Sequence, residues 1–280
     1  MIRPFIKWAG GKTRVLPDLL PHLPKGDRLF EPFVGGASVF LNTDYPRYVL
    51  ADINADLINL YQVVQNAAKP FIDVAKELFE NGNSSCEFYR NRDAFNSLIV
   101  KEYHQRILKA ALFLYLNRHC FNGICRYNNA GVFNVPFGDY KKPHFPEAEI
   151  KLFAEKANDT STVFIAADFR ETLTAKAINE HSVIYCDPPY MPASDTANFT
   201  QYYHCAFSVE HHRSLAAALL NVNQSRGAAV VISNSNTPAS REIYQNYKFY
   251  EIDVSRSLGA AVDSRKKARE LIGVLVRQGE

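Results

Sequence analysis

Short apolar runs that end in a polar residue or a turn signal recur along this chain and predict β-strands. Five such runs cover residues 27–33, 47–53, 161–169, 181–190 and 227–236. A helix start follows the first run, residues 209–224 form an amphipathic helical pattern, and residues 248–257 and 269–277 have the pattern of a final antiparallel pair. This alternation predicts a doubly wound, Rossmann-like α/β sheet, in which ligands bind beyond the carboxyl ends of the strands.

Residues 56–159 interrupt the alternation. Their pattern is mostly helical, most clearly at residues 105–117, and a loop rich in glycine, asparagine and proline follows at residues 119–143. We therefore predict that residues 1–55 and 160–280 together form the sheet domain. Residues 56–159 are predicted to form an inserted, mostly helical domain.

Positive charge is concentrated in this inserted block. The 280-residue chain has a net charge of +3, yet residues 90–142 hold nine lysines and arginines against three acidic residues, an excess of six. A basic block with interleaved aromatic residues suits a polyanion such as nucleic acid. Charge alone leaves a second interpretation equally open, the solvated surface of a helical subdomain.

Composition narrows the remaining classes of protein. No run of 18 apolar residues predicts a membrane-spanning helix, and the first residues lack the features of a secretory signal. The five cysteines are scattered without a CxxC pair, so we expect reduced thiols, a cytoplasmic protein and no metal site. No heptad pattern indicates a partner subunit, so we expect a monomer.

Two glycine-rich segments are candidate ligand-binding loops, and one of them has the pattern of a site for a nucleoside-like ligand. Residues 7–13, KWAGGKT, lack the first glycine of a phosphate-binding loop, because Ile6 stands at that position. Gly35 and Gly36 lie between a predicted strand and helix, and Asp52 ends the next strand, where a carboxylate suits a ribose diol. The GxGxxG fingerprint is absent, which disfavours an NAD-dependent oxidoreductase. The pattern fits S-adenosylmethionine or, alternatively, a tight turn followed by a helix-capping aspartate.

Residues 187–190, DPPY, directly follow a predicted buried strand and carry the predicted chemistry. Pro188 and Pro189 stiffen the turn, so that the Asp187 carboxylate and the Pro188 carbonyl can each accept a hydrogen from an exocyclic amino group. This acceptance localises the nitrogen lone pair for attack on a sulfonium methyl, and Tyr190 offers a ring for stacking a flipped base. None of the five cysteines follows a proline, which disfavours cytosine-C5 methylation, whose nucleophilic cysteine usually does.

The chain resembles the Dam-type DNA adenine-N6 methyltransferases, the GATC-specific D12 class, over nearly its whole length. The segments that carry the resemblance are FIKWAGGK, EPFVGGASVFLNTDYPRYVLADIN, LFLYLNR, FNGICRYN, GVFNVPFG, YKKPHFPEAE, VIYCDPPY and TANFT. The resemblance implies an S-adenosylmethionine-dependent methyltransferase sheet with an inserted DNA-recognition subdomain. It further implies methylation of adenine N6 in double-stranded GATC, with base flipping and direct in-line transfer.

The resemblance also implies which residues form the cofactor site. They are Trp8, Ala9, Gly10, Gly11, Lys12, Phe33, Gly35, Asp52, Asp168, Phe169 and Asp187. Asp52 would hold the ribose hydroxyls, while Asp168 and Phe169 would hold the adenine. Catalysis would fall to the four residues of DPPY.

For the DNA, the resemblance implies that Arg126 reads guanine by bidentate hydrogen bonds. Ile124 and Pro136 would touch the thymine methyl. Phe121, beside Asn122, stands where the family usually inserts a tyrosine into the base stack. The resemblance also implies phosphate contacts, which fix register without reading sequence, by Arg92, Arg118, Asn128 and Asn134. Lys7 and Lys141 are further implied DNA contacts.

Several alternatives stay open at this point. Asp139 stands where relatives often have arginine, which leaves DNA affinity in question unless Lys141 and Lys142 substitute for it. A cytosine-N4 methyltransferase uses the same amino-group chemistry, and DPPY alone does not separate the two. A catalytically inactive, sequence-specific DNA-binding protein is a further alternative, although all the cofactor-side residues are present. Whether the protein is bacterial or phage-encoded is also open.

Overall fold

The computed structural model describes residues 1–191, 207–254 and 268–276. Seven strands form one sheet in the order β3-β2-β1-β4-β5-β7-β6. They are β1 (Arg28–Glu31), β2 (Arg47–Asp52), β3 (Ser161–Ala166), β4 (Ser182–Cys186), β5 (Ala229–Ser235), β6 (Lys248–Val254) and β7 (Ala268–Leu275). Strands β1 to β5 are parallel, and β7 lies antiparallel between β5 and β6. The predicted doubly wound α/β class and its final antiparallel pair are confirmed.

The described residues form nine α-helices. They are α1 (Leu16–Leu19), α2 (Ser38–Leu41), α3 (Ala55–Asn81), α4 (Ser85–Ser97), α5 (Tyr103–His119), α6 (Glu147–Asp159), α7 (Phe169–Leu173), α8 (Val209–Arg226) and α9 (Pro238–Ile243). Helix α3 leaves helical geometry at Ala67, three residues before Pro70, whose missing N–H and fixed ring disrupt the preceding turn. None of the helices described could span a membrane.

One of the two apolar clusters in the described residues joins the sheet to the inserted helices. Phe153 of α6 lies at the centre of an aromatic group, with ring centroids 4.8 Å from Tyr61 of α3, 5.0 Å from Phe5 and 5.4 Å from Phe40. All four side chains are buried. Helices α3 and α6 are therefore packed firmly against the sheet, and the elements that follow them are fixed relative to its strand ends. The division into two domains stays a prediction.

The end of β3 and the residue that caps α3 both differ from the expectation, and in each case a side chain caps a helix. Strand β3 ends at Ala166, three residues early, since the Asp168 carboxylate accepts the Arg170 N–H at 2.8 Å and starts α7. Phe169 is therefore helical and does not close the strand. At α3, the capping side chain is that of Asn54 and not that of Asp52.

The segment TANFT (196–200) and the last residues of the two predicted final strands lie outside the described residues.

Candidate active site

The N-terminal glycine segment and the glycine loop after β1 pack directly on each other through Trp8. A Cβ atom on Gly35, whose φ is +45°, would lie 2.9 Å from Cδ1 and Nε1 of the Trp8 ring. Gly11 closes a turn by donating its N–H to the Trp8 carbonyl at 3.2 Å, and Gly10 has a φ of +76°. The two segments therefore need glycine for a close approach and a tight turn, and together they form one wall of a site.

Asp52, at the tip of β2, fixes the other side of the glycine loop. Its Oδ2 accepts the Gly35 N–H at 3.1 Å and its Oδ1 accepts the Asn54 N–H at 3.0 Å. Burial raises the pKa of Asp52 to about 6, although these hydrogen bonds act in the opposite direction. The Tyr61 hydroxyl donates to the Gly35 carbonyl at 2.5 Å. A half-buried carboxylate thus faces the turn, at the position that suits a ribose diol.

Lys12 links the N-terminal segment to DPPY. Its Nζ lies 2.8 Å from Asp187 Oδ2, donates to the Gly10 carbonyl at 2.8 Å, and lies 4.7 Å from the centre of the Tyr190 ring. Asp187 Oδ1 is buried and has no hydrogen-bond partner among the described atoms. Burial raises the pKa of Asp187 to about 6, while the nearby Lys12 charge lowers it. An ammonium donor therefore occupies the space between the carboxylate and the aromatic ring.

Glu31, the last residue of β1, is a site residue that sequence reasoning missed. It is 2% exposed, and its Oε1 is without a hydrogen-bond partner in the described structure. Burial, and then the charge of Asp187, which directly follows the neighbouring strand β4, raise the pKa of Glu31 well above its usual value. The available signal was an acidic residue at the end of an otherwise apolar run, directly before the glycine loop.

Three aromatic rings pack together and form an apolar cluster beside these groups. Phe33 and Phe169 stack with ring centroids 5.7 Å apart, and Phe207 lies edge-on to them at 5.7 and 5.9 Å. The Ala167 N–H donates to the Asp52 carbonyl at 3.1 Å. This bond joins the end of β2 to the residues before Phe169 and so keeps the aromatic cluster next to Asp52. Phe207 was missed, because it lies outside every predicted strand end.

The loop after α5 forms a short irregular hairpin. Isolated bridges pair Cys120 with Phe137 and Tyr127 with Phe133. The Phe121 N–H donates to the Pro136 carbonyl at 2.9 Å, and the Phe121 ring is 53% exposed. The predicted DNA residues that this hairpin presents are Phe121, Asn122, Arg126, Asn128 and Pro136, all exposed, with Ile124 and Asn134 half-buried.

Hydrogen bonds to the hairpin orient two arginines, one in the hairpin and one on α4. Arg126 Nε donates to Asn134 Oδ1 at 2.9 Å, and the two backbones also pair, with the Asn134 N–H donating to the Arg126 carbonyl at 3.2 Å. Arg92 stacks over the Tyr89 ring at 4.6 Å and donates to the Val135 carbonyl at 3.4 Å. A basic and aromatic surface is therefore fixed at one edge of the inserted block.

Comparison with known proteins identifies the family. The model of the D12 class N6 adenine-specific DNA methyltransferases matches residues 8–258. The chain belongs to this family. It is 46% identical over 273 residues to the DNA adenine methylases of Serratia marcescens and Escherichia coli K12, covering 97% of this chain and 98% and 95% of those proteins. The DNA adenine methylase of Vibrio cholerae is 44% identical over 275 residues, 97% of this chain and 95% of its own.

The D12 family confirms the predicted resemblance and fixes the reaction. The chain is an adenine-specific DNA methyltransferase, so the cytosine-N4 alternative is set aside, and its methyl donor is S-adenosylmethionine. The roles of individual residues stay predictions.

The structure of this D12 enzyme does not gather every predicted DNA contact on the hairpin. Arg118 is half-buried on α5, and its Nε donates to the Phe5 carbonyl at 3.1 Å. The Asn128 side chain accepts the N–H groups of Ala130 and Val132, each at 3.0 Å, and so holds its own turn. Lys141 is exposed.

Asn117 connects the cofactor side of the D12 enzyme to the hairpin, and sequence reasoning missed it. It accepts the Lys7 N–H at 2.9 Å and donates to the carbonyls of Lys7 at 2.7 Å and Gly123 at 3.1 Å. The Lys7 ammonium lies 4.4 Å from the centre of the Tyr140 ring, and the Tyr140 hydroxyl accepts the Asn122 N–H at 2.9 Å. A buried asparagine in the apolar pattern LFLYLN was the available signal.

Proposed function

We propose that this D12 enzyme flips the adenine of double-stranded GATC out of the helix and transfers a methyl group directly to its N6. The proposal rests on the contacts around Asp187. Its Oδ2 accepts an N–H from the Lys12 ammonium, which also lies over the Tyr190 ring. An exocyclic amino group of a stacked base would make the same two contacts. We further propose a monomer that acts in the cytoplasm, whether encoded by a bacterium or a phage.

The residues around the site fit the cofactor. Asp52 offers a half-buried carboxylate for the ribose hydroxyls, and the rings of Phe33 and Phe169 offer an apolar surface for the adenine. Trp8 and the turn at residues 9–12 would enclose the methionine part beside Asp187. When bound, S-adenosylmethionine supplies an electrophilic methyl group on a sulfonium centre.

The chemistry proposed for the protein is positioning and hydrogen-bond acceptance. The Asp187 carboxylate and the Pro188 carbonyl accept the two amino hydrogens, and Tyr190 stacks on the base. Asp187 keeps acceptor capacity for the amino group while Lys12 stays on Oδ2, because Oδ1 has no hydrogen-bond partner among the described atoms. The amino proton is lost only after the nitrogen has become cationic, so no strong base is needed. Preorganised acceptors of this kind provide most of the acceleration.

Recognition of GATC is proposed to come from the hairpin. Arg126 is exposed, its guanidinium donates from Nε to Asn134 Oδ1 at 2.9 Å and from one terminal nitrogen to the Asn134 carbonyl at 3.5 Å, and it would present its terminal nitrogens to guanine O6 and N7. Ile124 and Pro136 offer apolar surface for a thymine methyl. Phe121, half exposed on a short 3₁₀ turn, is a stacking wedge for the space that the flipped base vacates.

The test uses purified enzyme, S-adenosylmethionine and unmethylated plasmid. The plasmid is then digested with nucleases that cut GATC only when it is methylated or only when it is not. We expect complete conversion by the wild type and by Asp159→Ala, an exposed control at the end of α6, and none by Asp187→Ala. Asp187→Ala should still bind the duplex, because the hairpin is untouched.

Other outcomes of this assay separate the parts of the proposal. N6-methyladenine found only outside GATC would overturn the recognition by Arg126 and Ile124 and leave the chemistry standing. No incorporation into DNA by the wild type would favour the inactive DNA-binding protein. Near-normal turnover by Asp187→Ala would overturn the catalytic assignment.

A further inference from the structure

The proline turn of DPPY fixes the backbone of Tyr190, and a residue of β7 holds its hydroxyl group. The Tyr190 hydroxyl donates to Glu270 Oε2 at 2.7 Å, and Glu270 is 8% exposed. We propose that Glu270 is a positioning residue that sets the plane of the Tyr190 ring for stacking of the target base. This inference rests on the function proposed above.

Glu270 is well suited to hold another side chain, because its backbone lies inside the sheet. In the register of the sheet, it lies opposite Ser235 of β5 on one side and Ile252 of β6 on the other. Side chains on rigid strands hold a site more closely than side chains on loops. The Ser235 hydroxyl donates to the Met191 carbonyl at 3.3 Å, so β5 also fixes the backbone directly after the tyrosine.

The hydrogen bond restrains the one freedom that the turn leaves to the ring. Pro188 and Pro189 limit the backbone before Tyr190, but they do not restrict rotation of its side chain. A bond from the hydroxyl to a carboxylate is charge-assisted and therefore among the stronger hydrogen bonds. The bond is made at the hydroxyl end of the side chain and does not cover the ring face, over which the Lys12 ammonium lies 4.7 Å from the ring centre.

A buried glutamate is a costly way to fill space, which argues against a purely structural role. An apolar side chain at this sheet position would avoid the desolvation of a carboxylate. The charge also acts on the reacting group, since Glu270 contributes to the raised pKa of Asp187. A positioning role therefore predicts two separable effects, one through the Tyr190 hydroxyl and one through charge.

The experiment is a double-mutant cycle of Glu270→Gln and Tyr190→Phe, read as single-turnover methylation of a GATC duplex. Above the acid limb of the pH–rate profile, we expect Glu270→Gln to lower the rate up to about tenfold, because an uncharged amide oxygen is a weaker acceptor for the Tyr190 hydroxyl. Tyr190→Phe should lose about tenfold because it removes the donor, and the double variant should lose no more than Tyr190→Phe, because Glu270 then has no hydroxyl to hold. Glu251→Gln, on the neighbouring strand β6, is the control; Glu251 is exposed and pairs with Arg241, and its rate should equal the wild-type rate. Affinities for S-adenosylhomocysteine and for duplex should stay unchanged in all variants.

Two further readouts distinguish positioning from simple loss of structure. In a duplex with 2-aminopurine at the target position, Glu270→Gln and Tyr190→Phe should both change the fluorescence of the flipped base. Glu270→Gln should move the acid limb of the pH–rate profile to lower pH, since it removes a negative charge near Asp187. Glu270→Asp should lower the rate without moving that limb, and it provides the test if the glutamine variant does not fold.

Losses that multiply in the double variant, or a wild-type rate in Glu270→Gln, would overturn the positioning role while the proposed function stands. A wild-type enzyme that methylates no DNA would instead overturn the proposed function.

Discussion

Asp187 is subject to two opposing effects that make its protonation sensitive to neighbouring residues. Burial favours the neutral acid, whereas Lys12, 2.8 Å away, favours the carboxylate. The pKa of about 6 lies close to neutral pH, in the range where catalytic groups are usually found. Only the carboxylate form has both oxygens available as acceptors, so the ionised state is the active one.

We therefore expect kcat/KM to fall about tenfold per pH unit below pH 6, because this parameter reports the free enzyme. Lys12→Met removes the charge that lowers the pKa of Asp187, so the acid limb should move to higher pH. Lys176→Met, an exposed control, should leave the limb in place. The profile is measured by incorporation of labelled methyl groups between pH 5 and 9. A limb that moves to lower pH in Lys12→Met would contradict this account of Asp187.

The hairpin after α5 shows how an element converts weak local pairing into a defined surface. Only two isolated bridges join its strands, and side-chain bonds such as that from Arg126 to Asn134 supply further order. Asn134 was expected to contact a phosphate, yet in the structure its amide oxygen accepts a hydrogen bond from the guanidinium proposed to read guanine. Its position therefore favours a role in specificity through Arg126.

Asn134→Ala should relax discrimination at the guanine read by Arg126, because the guanidinium loses its fixed orientation. We expect the preference for GATC over a site with that guanine replaced to fall about tenfold, within the range of a bidentate contact. Asn129→Ala, the same change at an exposed position of the same hairpin, should keep the preference. Competition binding with the two duplexes measures it. An equal loss of affinity for both duplexes would support the phosphate contact instead.

Elements were predictable from the sequence where their pattern is local. The runs that predicted β1, β2, β4 and β5 contain the observed strands, and the helical pattern at residues 105–117 lies within α5. The partners of Tyr190 were not predictable in this way. Glu270 reaches Tyr190 only because β7 inserts antiparallel beside β5, and a pattern within one segment carries no information on such register. The end of β3 was predicted too late for a local reason, since the Asp168 side chain bonds to the backbone two residues on and starts α7.

At the scale of the whole molecule, the structure divides the basic block into charges used inside the protein and charges that face outward. Arg106 bonds to Asn59 and Gln62 of α3, and Lys109 donates to the Phe95 carbonyl at 2.6 Å. Lys141 and Lys142 are exposed beside the hairpin. A lysine or arginine already bonded to protein contributes less to a phosphate surface, so we expect the outward-facing charges of the block to make the contacts with DNA.

The salt dependence of DNA binding tests this division directly. Each phosphate contact that is lost reduces the magnitude of the slope of log affinity against log salt by about one, because one condensed counterion fewer is released on binding. Lys141→Gln should therefore reduce the slope by about one and weaken binding to all sequences alike. Arg106→Gln removes the same charge from the same block, yet it should leave the slope unchanged, since this guanidinium is bonded to α3. Fluorescence anisotropy between 50 and 200 mM salt measures both slopes. Equal slopes for the two variants would show that the basic block acts through its total charge, without a distinct phosphate-binding edge.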